Sequence, residues 1–157
     1  GNDEVRFLIS ANPGEPLMSI SEIASGGELS RIMLAMKSVM ADTDEIPTLI
    51  FDEIDTGISG RTAQKVSEKL AVIAKNRQVI AITHLAQIAA MADRHFLIEK
   101  SFEGERTSTG IRELNEKDSI TELARISGGA EITDTVLAGA KEMKRLASEI
   151  RERMRRK

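Results

Sequence analysis

The sequence is poor in the residues on which several classes of protein depend. It has no cysteine, tryptophan or tyrosine, and only four phenylalanines in 157 residues. Without cysteine, neither a disulfide framework nor a thiolate metal site can form, and the absence fits a reducing compartment. Because aromatic rings are so scarce, stacking platforms for single-stranded nucleic acid are not expected.

Long apolar runs and a strong charge imbalance are also absent. No stretch is long enough to span a bilayer, and no signal peptide is visible, so we expect a cytoplasmic chain without a membrane partner. The net charge of −3 does not indicate a nucleic-acid-binding domain. The chain is long enough for one domain with a core. It begins with Gly1-Asn2 rather than methionine, and we interpret it as a piece of a longer protein.

The apolar pattern predicts strands alternating with helices. Strands are predicted at residues 5–10, 48–52 and 78–83, and the last two read as strands buried on both faces. Helices are predicted from Ser25 to near Asp42, after residue 60, and at 85–89. The second of these helices has Ala63, Val66, Leu70, Ile73 and Ala74 on one face. Residues 94–100 and 109–115 predict an edge hairpin that turns at Glu103-Gly104. This order favours an α/β fold with a mainly parallel sheet flanked by helices.

The last third of the chain predicts two more helices. One covers residues 119–127, with Ser119 and Glu122 as a capping box, and ends at Gly128-Gly129. Thr133 starts a long final helix, in which apolar residues recur at alternating spacings of four and three. That stripe consists of Val136, Ala140, Met143, Ala147, Ile150 and Met154. It either seats a partner helix or covers the sheet of its own domain. The basic end, residues 151–157, is expected to be solvated.

The stretch most suggestive of function is the Ser-Gly-Gly turn within residues 23–31. It opens directly into an amphipathic helix whose apolar positions are Leu29, Ile32, Met33, Met36 and Met40. The start of a helix has unpaired N–H groups and a partial positive charge, so it suits an anion such as phosphate. Ser25 and Glu28 also fit a capping box, which needs no ligand. A capping box, however, does not require Gly26 and Gly27, which lower helix propensity.

Charged and polar side chains follow the two central predicted strands. Asp52 and Glu53 end the first, and His84 ends the second. Ligands of open parallel sheets lie beyond the carboxyl ends of strands. An aspartate in this position supports Mg²⁺ in P-loop NTPases, and the glutamate after it is placed to act on a water. A histidine at the next strand end can hydrogen-bond a phosphate oxygen.

These motifs together resemble those of ABC-type ATPases. Residues 25–28 are similar to the signature motif, residues 48–53 to the Walker B strand with its catalytic glutamate, residues 55–59 to the D-loop, and His84 to the switch histidine. The fuller pattern is similar to the RecN family of bacterial DNA-repair proteins, which are related to SMC proteins. It comprises residues 12–17, 24–36, 51–60, 122–125 and 128–133.

One departure from the family pattern is decisive. A Gly-x-x-x-x-Gly-Lys-Ser/Thr loop is absent, and Gly-Lys never occurs in the sequence. In the family, that loop lies in an N-terminal lobe, beyond a long coiled coil. The resemblance therefore implies that residues 1–157 form the C-terminal lobe of an ABC-type ATPase head, with the Walker A lobe and the coiled coil missing.

The resemblance implies a role for each matching residue. Ser25, Gly26, Gly27 and Glu28 would meet ATP held by a second head, in a homodimer formed on ATP binding. Asp52 would support Mg²⁺ through water, Glu53 would activate the attacking water, and His84 would contact the γ-phosphate. Asp55 and Ser59 would couple the two sites. The complete protein would hydrolyse ATP and act on DNA in double-strand break repair and recombination at the bacterial nucleoid, and the fragment alone would be inactive.

Two other interpretations stay open. In the first, the chain is chiefly an interaction module, whose final helix seats a partner while the acidic residues are structural. In the second, it is a stand-alone metal hydrolase that uses Asp52, Asp55 and His84 to bind Zn²⁺ or Mn²⁺. The metal-hydrolase interpretation gives no function to the Ser-Gly-Gly turn.

Overall fold

A computed structural model describes residues 2–10, 14–22, 25–40, 45–103, 106–129 and 131–156. Within these residues the chain forms six strands and five α-helices. The strands are β1 (Leu8–Ile9), β2 (Met18–Ser19), β3 (Thr48–Phe51), β4 (Gln78–Ala81), β5 (His95–Glu103) and β6 (Arg106–Leu114). The helices are α1 (Gly26–Val39), α2 (Gly60–Ile73), α3 (Ala86–Ala90), α4 (Glu116–Gly128) and α5 (Asp134–Arg155). The predicted hairpin turn at Gly104 and the predicted helix end at Asp42 lie outside the described residues.

The strands form three separate two-stranded sheets in the described part of the chain. β1 pairs with β2 in antiparallel fashion, so the predicted strand at 5–10 is reduced to two residues, and its partner was not predicted. β5 and β6 form the predicted hairpin, which is longer than its sequence pattern indicates. The parallel arrangement is confined to β3 and β4, which pair from Thr48↔Gln78 to Phe51↔Ala81. The α/β class is confirmed, whereas a continuous parallel sheet is not seen.

The central core lies on one side of the β3–β4 pair. Leu49 and Phe51 pack there with Leu34 of α1, and α2 contributes the face that its periodicity predicts. The buried residues of that face are Ala63, Val66, Leu70 and Ile73. On the opposite side of the strands, Ile50 is 67% exposed and Ile80 is 42% exposed. The prediction that both strands are buried on both faces is therefore wrong for this chain, because α1 and α2 cover only one face.

Helix α1 begins where the sequence predicts but turns a different face inward. Leu34 is its buried apolar side chain, whereas Leu29, Met33 and Met40 of the predicted stripe are exposed. Ile32 and Met36 of the same stripe are half-buried, so the predicted stripe is buried only in part. The helix packs against α2 through the Leu34 side, and its methionine-rich side faces outward.

Helix α4 starts a turn earlier than predicted, and the proposed capping box is wrong. Asn115 is the N-cap, since its side chain accepts a hydrogen bond from the Asp118 N–H at 2.9 Å. Ser119 and Glu122 lie buried inside the helix instead. The predicted end is confirmed, because Gly129 has φ 75° and its N–H donates to the Arg125 carbonyl oxygen at 3.1 Å.

Helix α5 begins after Thr133, as predicted, and packs within its own chain. Its Ala140 and Ala147 are buried in a second apolar cluster, which α3 and α4 complete. The predicted stripe therefore covers neighbouring helices, rather than the sheet or a partner helix. The basic end is not merely solvated, because Arg151 donates to the carbonyl oxygens of Met91 and Ala92 at 2.9 and 2.6 Å. None of the helices described has the length and apolarity needed to cross a membrane.

Candidate functional site

The Ser-Gly-Gly turn forms the start of α1. Ser25 is the N-cap, and its Oγ accepts a hydrogen bond from the Glu28 N–H at 3.2 Å. One half of the capping box is thus present. Gly26 and Gly27 are the first residues of the helix, where backbone N–H groups lack intrahelical partners. The Ser25 side chain thus satisfies one N–H group of the first turn, and the positive end of the helix dipole still makes the turn suitable for an anion.

The two glycines both lie very close to the residues at the end of β3. A Cβ placed on Gly26 would lie 2.5 Å from Glu53 Oε2. A Cβ on Gly27 would lie 2.8 Å from the Glu53 carbonyl oxygen and 2.9 Å from Thr56 Cβ. Real side-chain carbons do not approach other atoms so closely. The glycine pair therefore brings the start of α1 against Glu53 of the same chain.

Two polar residues of α1 hold the loop that follows β3. Ser30 Oγ donates to the Asp52 carbonyl oxygen at 2.7 Å. Arg31 Nη1 donates to the carbonyl oxygens of Ile54 and Thr56, at 3.2 and 2.8 Å. Sequence reasoning missed both residues. Their acceptors are backbone carbonyl groups, which every residue has, so no sequence pattern reveals them.

Asp52 and Glu53 are both exposed where β3 ends. Asp52 Oδ1 accepts a hydrogen bond from the Glu53 N–H at 2.9 Å. Glu53 has φ 55°, which places it in the left-handed region that side-chain-bearing residues rarely occupy. Such strain persists only where neighbouring contacts enforce it, and it is concentrated at functional sites. Here the Thr56 N–H donates to the Glu53 carbonyl oxygen at 3.0 Å, the same oxygen lies close to Gly27, and Ser30 holds the carbonyl group of the preceding residue, Asp52.

Asp55 and His84 meet at the ends of β3 and β4. Asp55 is only 2% exposed, and its Oδ2 accepts hydrogen bonds from Thr83 Oγ1 and from the His84 N–H, the latter at 2.7 Å. His84 Nδ1 lies 3.2 Å from the same oxygen, whereas the His84 side chain is 72% exposed. A proton on Nδ1 is favoured by this carboxylate, which leaves Nε2 directed toward solvent. The buried aspartate thus orients an accessible imidazole.

The structure brings most of the predicted site residues to one edge of the fold. Glu28 and Ser59 differ from the other predicted site residues, because no hydrogen bond within the described residues joins their side chains to the rest of the site. The Glu28 N–H donates to Ser25 Oγ, and Ser59 is the exposed N-cap of α2, whose side chain makes no capping hydrogen bond. The described residues contain no group of three or more acidic or histidine side chains arranged to hold a metal ion. Asp52 does not join Asp55 and His84 in such a group, contrary to what a stand-alone metal hydrolase would require.

A cleft of about 620 Å³ lies away from these strand ends, between the base of the hairpin and α5. His95 Nδ1 contacts Ser119 Oγ there at 2.9 Å. Burial, reinforced by the charge of Lys144, lowers the pKa of His95. Burial and the charge of Arg151 likewise lower the pKa of Lys144. These groups belong to the packing of α4 and α5 and do not extend the site at the strand ends.

In fold, the chain is similar to a solved protein described as "Structural biochemistry of ATP-driven dimerization and DNA stimulated activation of SMC ATPases". The TM-score is 0.50 and the sequence identity 24%, over 76% of this chain and 79% of that chain. This likeness shows that the chain shares a mixed α/β fold with that protein. No family model matches the chain.

In sequence, the chain is similar to the DNA repair protein RecN of several bacteria. It is 46% identical to that of Bacillus subtilis over 151 residues, and 50% identical to that of Treponema pallidum over 145 residues. The identity to RecN of Vibrio cholerae is 44% over 143 residues. These alignments cover 96%, 92% and 91% of this chain, but 26%, 25% and 26% of the relatives. The chain thus spans about a quarter of the length of the curated relatives it matches.

Proposed function

We propose that this chain is the C-terminal lobe of the ATPase head of a RecN-like protein that acts in DNA double-strand break repair and recombination. One observation supports the proposal above all others. The Ser-Gly-Gly turn and the acidic end of β3 lie against each other, with His84 ending the strand paired to β3. This arrangement occurs in a chain with the fold of an SMC ATPase and close similarity to RecN.

The chain's own half of a nucleotide site would consist of Asp52, Glu53 and His84. Asp52 is an exposed carboxylate at the end of a strand, and Mg²⁺ is commonly held by one or two carboxylates together with substrate phosphates and waters. Mg²⁺ supplied with ATP would neutralise charge on the phosphate oxygens. The Glu53 carboxylate would accept a proton from an attacking water. His84 Nε2 is the accessible nitrogen for contact with a γ-phosphate oxygen.

The Ser-Gly-Gly turn would serve a second nucleotide, held by a partner head. Neither glycine has a side chain of its own, so their N–H groups can donate to a γ-phosphate oxygen once the Glu53 carboxylate beside Gly26 has moved aside. Ser25 Oγ already accepts from the Glu28 N–H, and its own hydroxyl proton can still be donated to an anion. Asp55 and Ser59 would link the two sites, and Asp55 does so partly by orienting His84. Head pairing would then follow ATP binding.

The bare face of β3 and β4 would be covered by the N-terminal lobe of the same protein. Its exposed isoleucines are Ile50, Ile80 and Ile82, at 67%, 42% and 48% exposure. Together these side chains form a contiguous apolar patch on adjacent strands. Exposure of such a patch to water is unfavourable, which favours its burial by another part of the protein. The missing Gly-Lys loop is expected in that lobe. DNA would be bound through the complete protein, in the cytoplasm at the nucleoid.

The test is reconstitution of ATP turnover. The isolated chain should not hydrolyse ATP, whereas the chain mixed with, or joined to, a RecN lobe that carries the Gly-Lys loop should. In the joined protein, Glu53→Gln should still allow nucleotide-dependent pairing of heads but abolish turnover. Hydrolysis by the isolated 157-residue chain, or normal hydrolysis by the Glu53→Gln protein, would overturn the proposal.

The interaction-module interpretation has little support. It relies on the apolar stripe of α5 to seat a partner helix, and Ala140 and Ala147 of that stripe are buried against α3 and α4. The interpretation would be supported if the chain bound a partner equally well with and without ATP, and if the Ser25→Arg variant bound that partner as well as the parent does. The glycine contacts with Glu53 would then be purely structural.

A further inference from the structure

We propose that Arg31, assisted by Ser30, is a positioning residue that joins the two half-sites within one chain. The inference rests on the proposed function, since it concerns how the turn that meets a partner's nucleotide acts on Glu53. Neither residue touches the reacting atoms in this scheme. Their task is to hold the loop of residues 52–56 against the first turns of α1.

Arg31 and Ser30 bind three carbonyl oxygens on the two sides of Glu53. Ser30 Oγ donates to Asp52, which precedes Glu53, and Arg31 Nη1 donates to Ile54 and Thr56, which follow it. The peptide group before the strained Glu53 and two carbonyl groups that follow it are therefore tied to α1. These bonds span 22 to 25 residues of sequence, so they are tertiary contacts rather than local turns.

The contacts make the start of α1 and the loop move together. Gly27 has no free space beside it, because the Glu53 carbonyl oxygen and Thr56 Cβ lie where its side chain would be. Arg31 lies one turn farther along the same helix, and its Nη1 is itself 3.0 Å from that Cβ position. A phosphate that docks at Gly26 and Gly27 and shifts α1 would consequently shift Glu53. Occupancy of one nucleotide site is thereby communicated to the other.

The chemistry of the guanidinium group explains why arginine suits this position. A planar group with several fixed donors can satisfy two carbonyl oxygens at once, whereas an ammonium group on a flexible stem holds them less firmly. Arg31→Lys should consequently retain part of the effect, and Arg31→Ala should lose it. Ser30→Ala should produce a smaller change, because it removes one bond and leaves the other two.

The first test needs no nucleotide. In the isolated chain, amide hydrogen exchange of the segment 53–58 should accelerate about tenfold or more in Arg31→Ala, since local opening no longer breaks the two Arg31 bonds. Arg31→Lys should fall between that variant and the parent. Arg153→Ala, at an exposed arginine near the end of α5, is the matched control and should exchange like the parent in this segment. Unchanged exchange in Arg31→Ala would overturn the inference.

The second test uses the chain joined to its N-terminal lobe. Arg31→Ala should lower kcat about tenfold to a hundredfold, because Glu53 is no longer held in place, with little change in KM for ATP. It should also reduce the Hill coefficient for ATP toward 1. If kcat fell by this amount while the Hill coefficient stayed unchanged, Arg31 would have only a local effect on Glu53. That result would overturn the inference that Arg31 couples the two nucleotide sites. If the parent itself has no ATPase activity, the proposed function fails, while the exchange experiment still decides whether Arg31 holds the loop.

Discussion

Gly26 lies against the carboxylate of Glu53, and a Cβ added to Gly26 would come within 2.5 Å of Glu53 Oε2 in its present position. At Gly26 the obstructing atom is the flexible end of Glu53, whereas at Gly27 it is backbone oxygen and Thr56 Cβ. We therefore expect Gly27→Ala to lower the free energy of unfolding by about 1–3 kcal/mol, as overpacking does. Gly26→Ala should change it by less than about 1 kcal/mol, because the carboxylate can move aside. Urea unfolding of the two variants measures the difference, and equal losses would contradict this account of the glycines.

The left-handed conformation of Glu53 predicts that glycine at this position gives a more stable protein than alanine does. At φ 55° a side chain is strained, and glycine is not. Glu53→Gly should be more stable than Glu53→Ala by about 1 kcal/mol, because both variants lose the carboxylate but only one relieves the strain. Thermal unfolding of the pair is the measurement. If the alanine variant is the more stable, the strain assigned to this position does not exist.

Removal of the Asp55 carboxylate should damage both the fold and the orientation of His84. Asp55→Ala leaves the Thr83 hydroxyl and the His84 N–H without their acceptor, which should cost about 1–3 kcal/mol of stability. Asp55→Asn keeps one acceptor oxygen and should cost less. Nitrogen-15 NMR of His84 should show a smaller population of the Nδ1–H tautomer in both variants. An unchanged tautomer population would mean that Asp55 does not orient the ring.

The bare face of the central strands predicts a contrast between two neighbouring residues. Ile50→Thr should leave the stability of the isolated chain almost unchanged, because Ile50 is 67% exposed. Leu49→Thr should destabilise it by about 2 kcal/mol or more, since Leu49 is buried in the core. Ile50→Thr should instead weaken binding to the N-terminal lobe. Sedimentation and lobe-binding titrations measure this effect, and undiminished binding would show that this face is not the lobe contact.

The histidine in the cleft beside α5 predicts a loss of stability in mild acid. Burial, aided by Lys144, lowers the pKa of His95 below its ordinary value of 6.5, so the unfolded chain binds this proton more readily than the folded chain. The stabilising contribution is present above pH 6.5 and is lost as the pH falls through the lowered value. His95→Gln should flatten this part of the stability profile. A profile with the same slope in the parent and in the variant would contradict the assignment.

The sequence predicts those features that local spacing determines. The buried face of α2, the Ser25 cap of α1 and the end of α4 at Gly129 all follow from residues within one or two turns of each other. The pairing of β3 with β4 follows from two similar apolar runs separated by a helix. For the same reason, the amino-acid pattern alone puts the acidic residues and His84 at neighbouring strand ends.

Features that depend on tertiary contacts could not be predicted in this way. Asn115 and Ser119 are both good helix caps, and only the packing of Ser119 against His95 decides between them. The inward face of α1 depends on what covers the strands, and here Leu34 rather than the methionine side is covered. The bonds of Arg31 end on carbonyl groups, which are the same whatever the sequence.

The hydrogen bonds from Arg151 to the carbonyl groups that follow α3 have a practical consequence for purification of the protein. Helix α3 starts two residues after His84, and Arg151 and Lys144 hold the carbonyl groups where it ends. Proteolytic removal of the C-terminal end of α5, up to and including Arg151, would remove these hydrogen bonds. Helix α3 and the His84 imidazole that precedes it would then be held less firmly. A shortened preparation could thus lose the histidine's alignment while every residue around it remained intact.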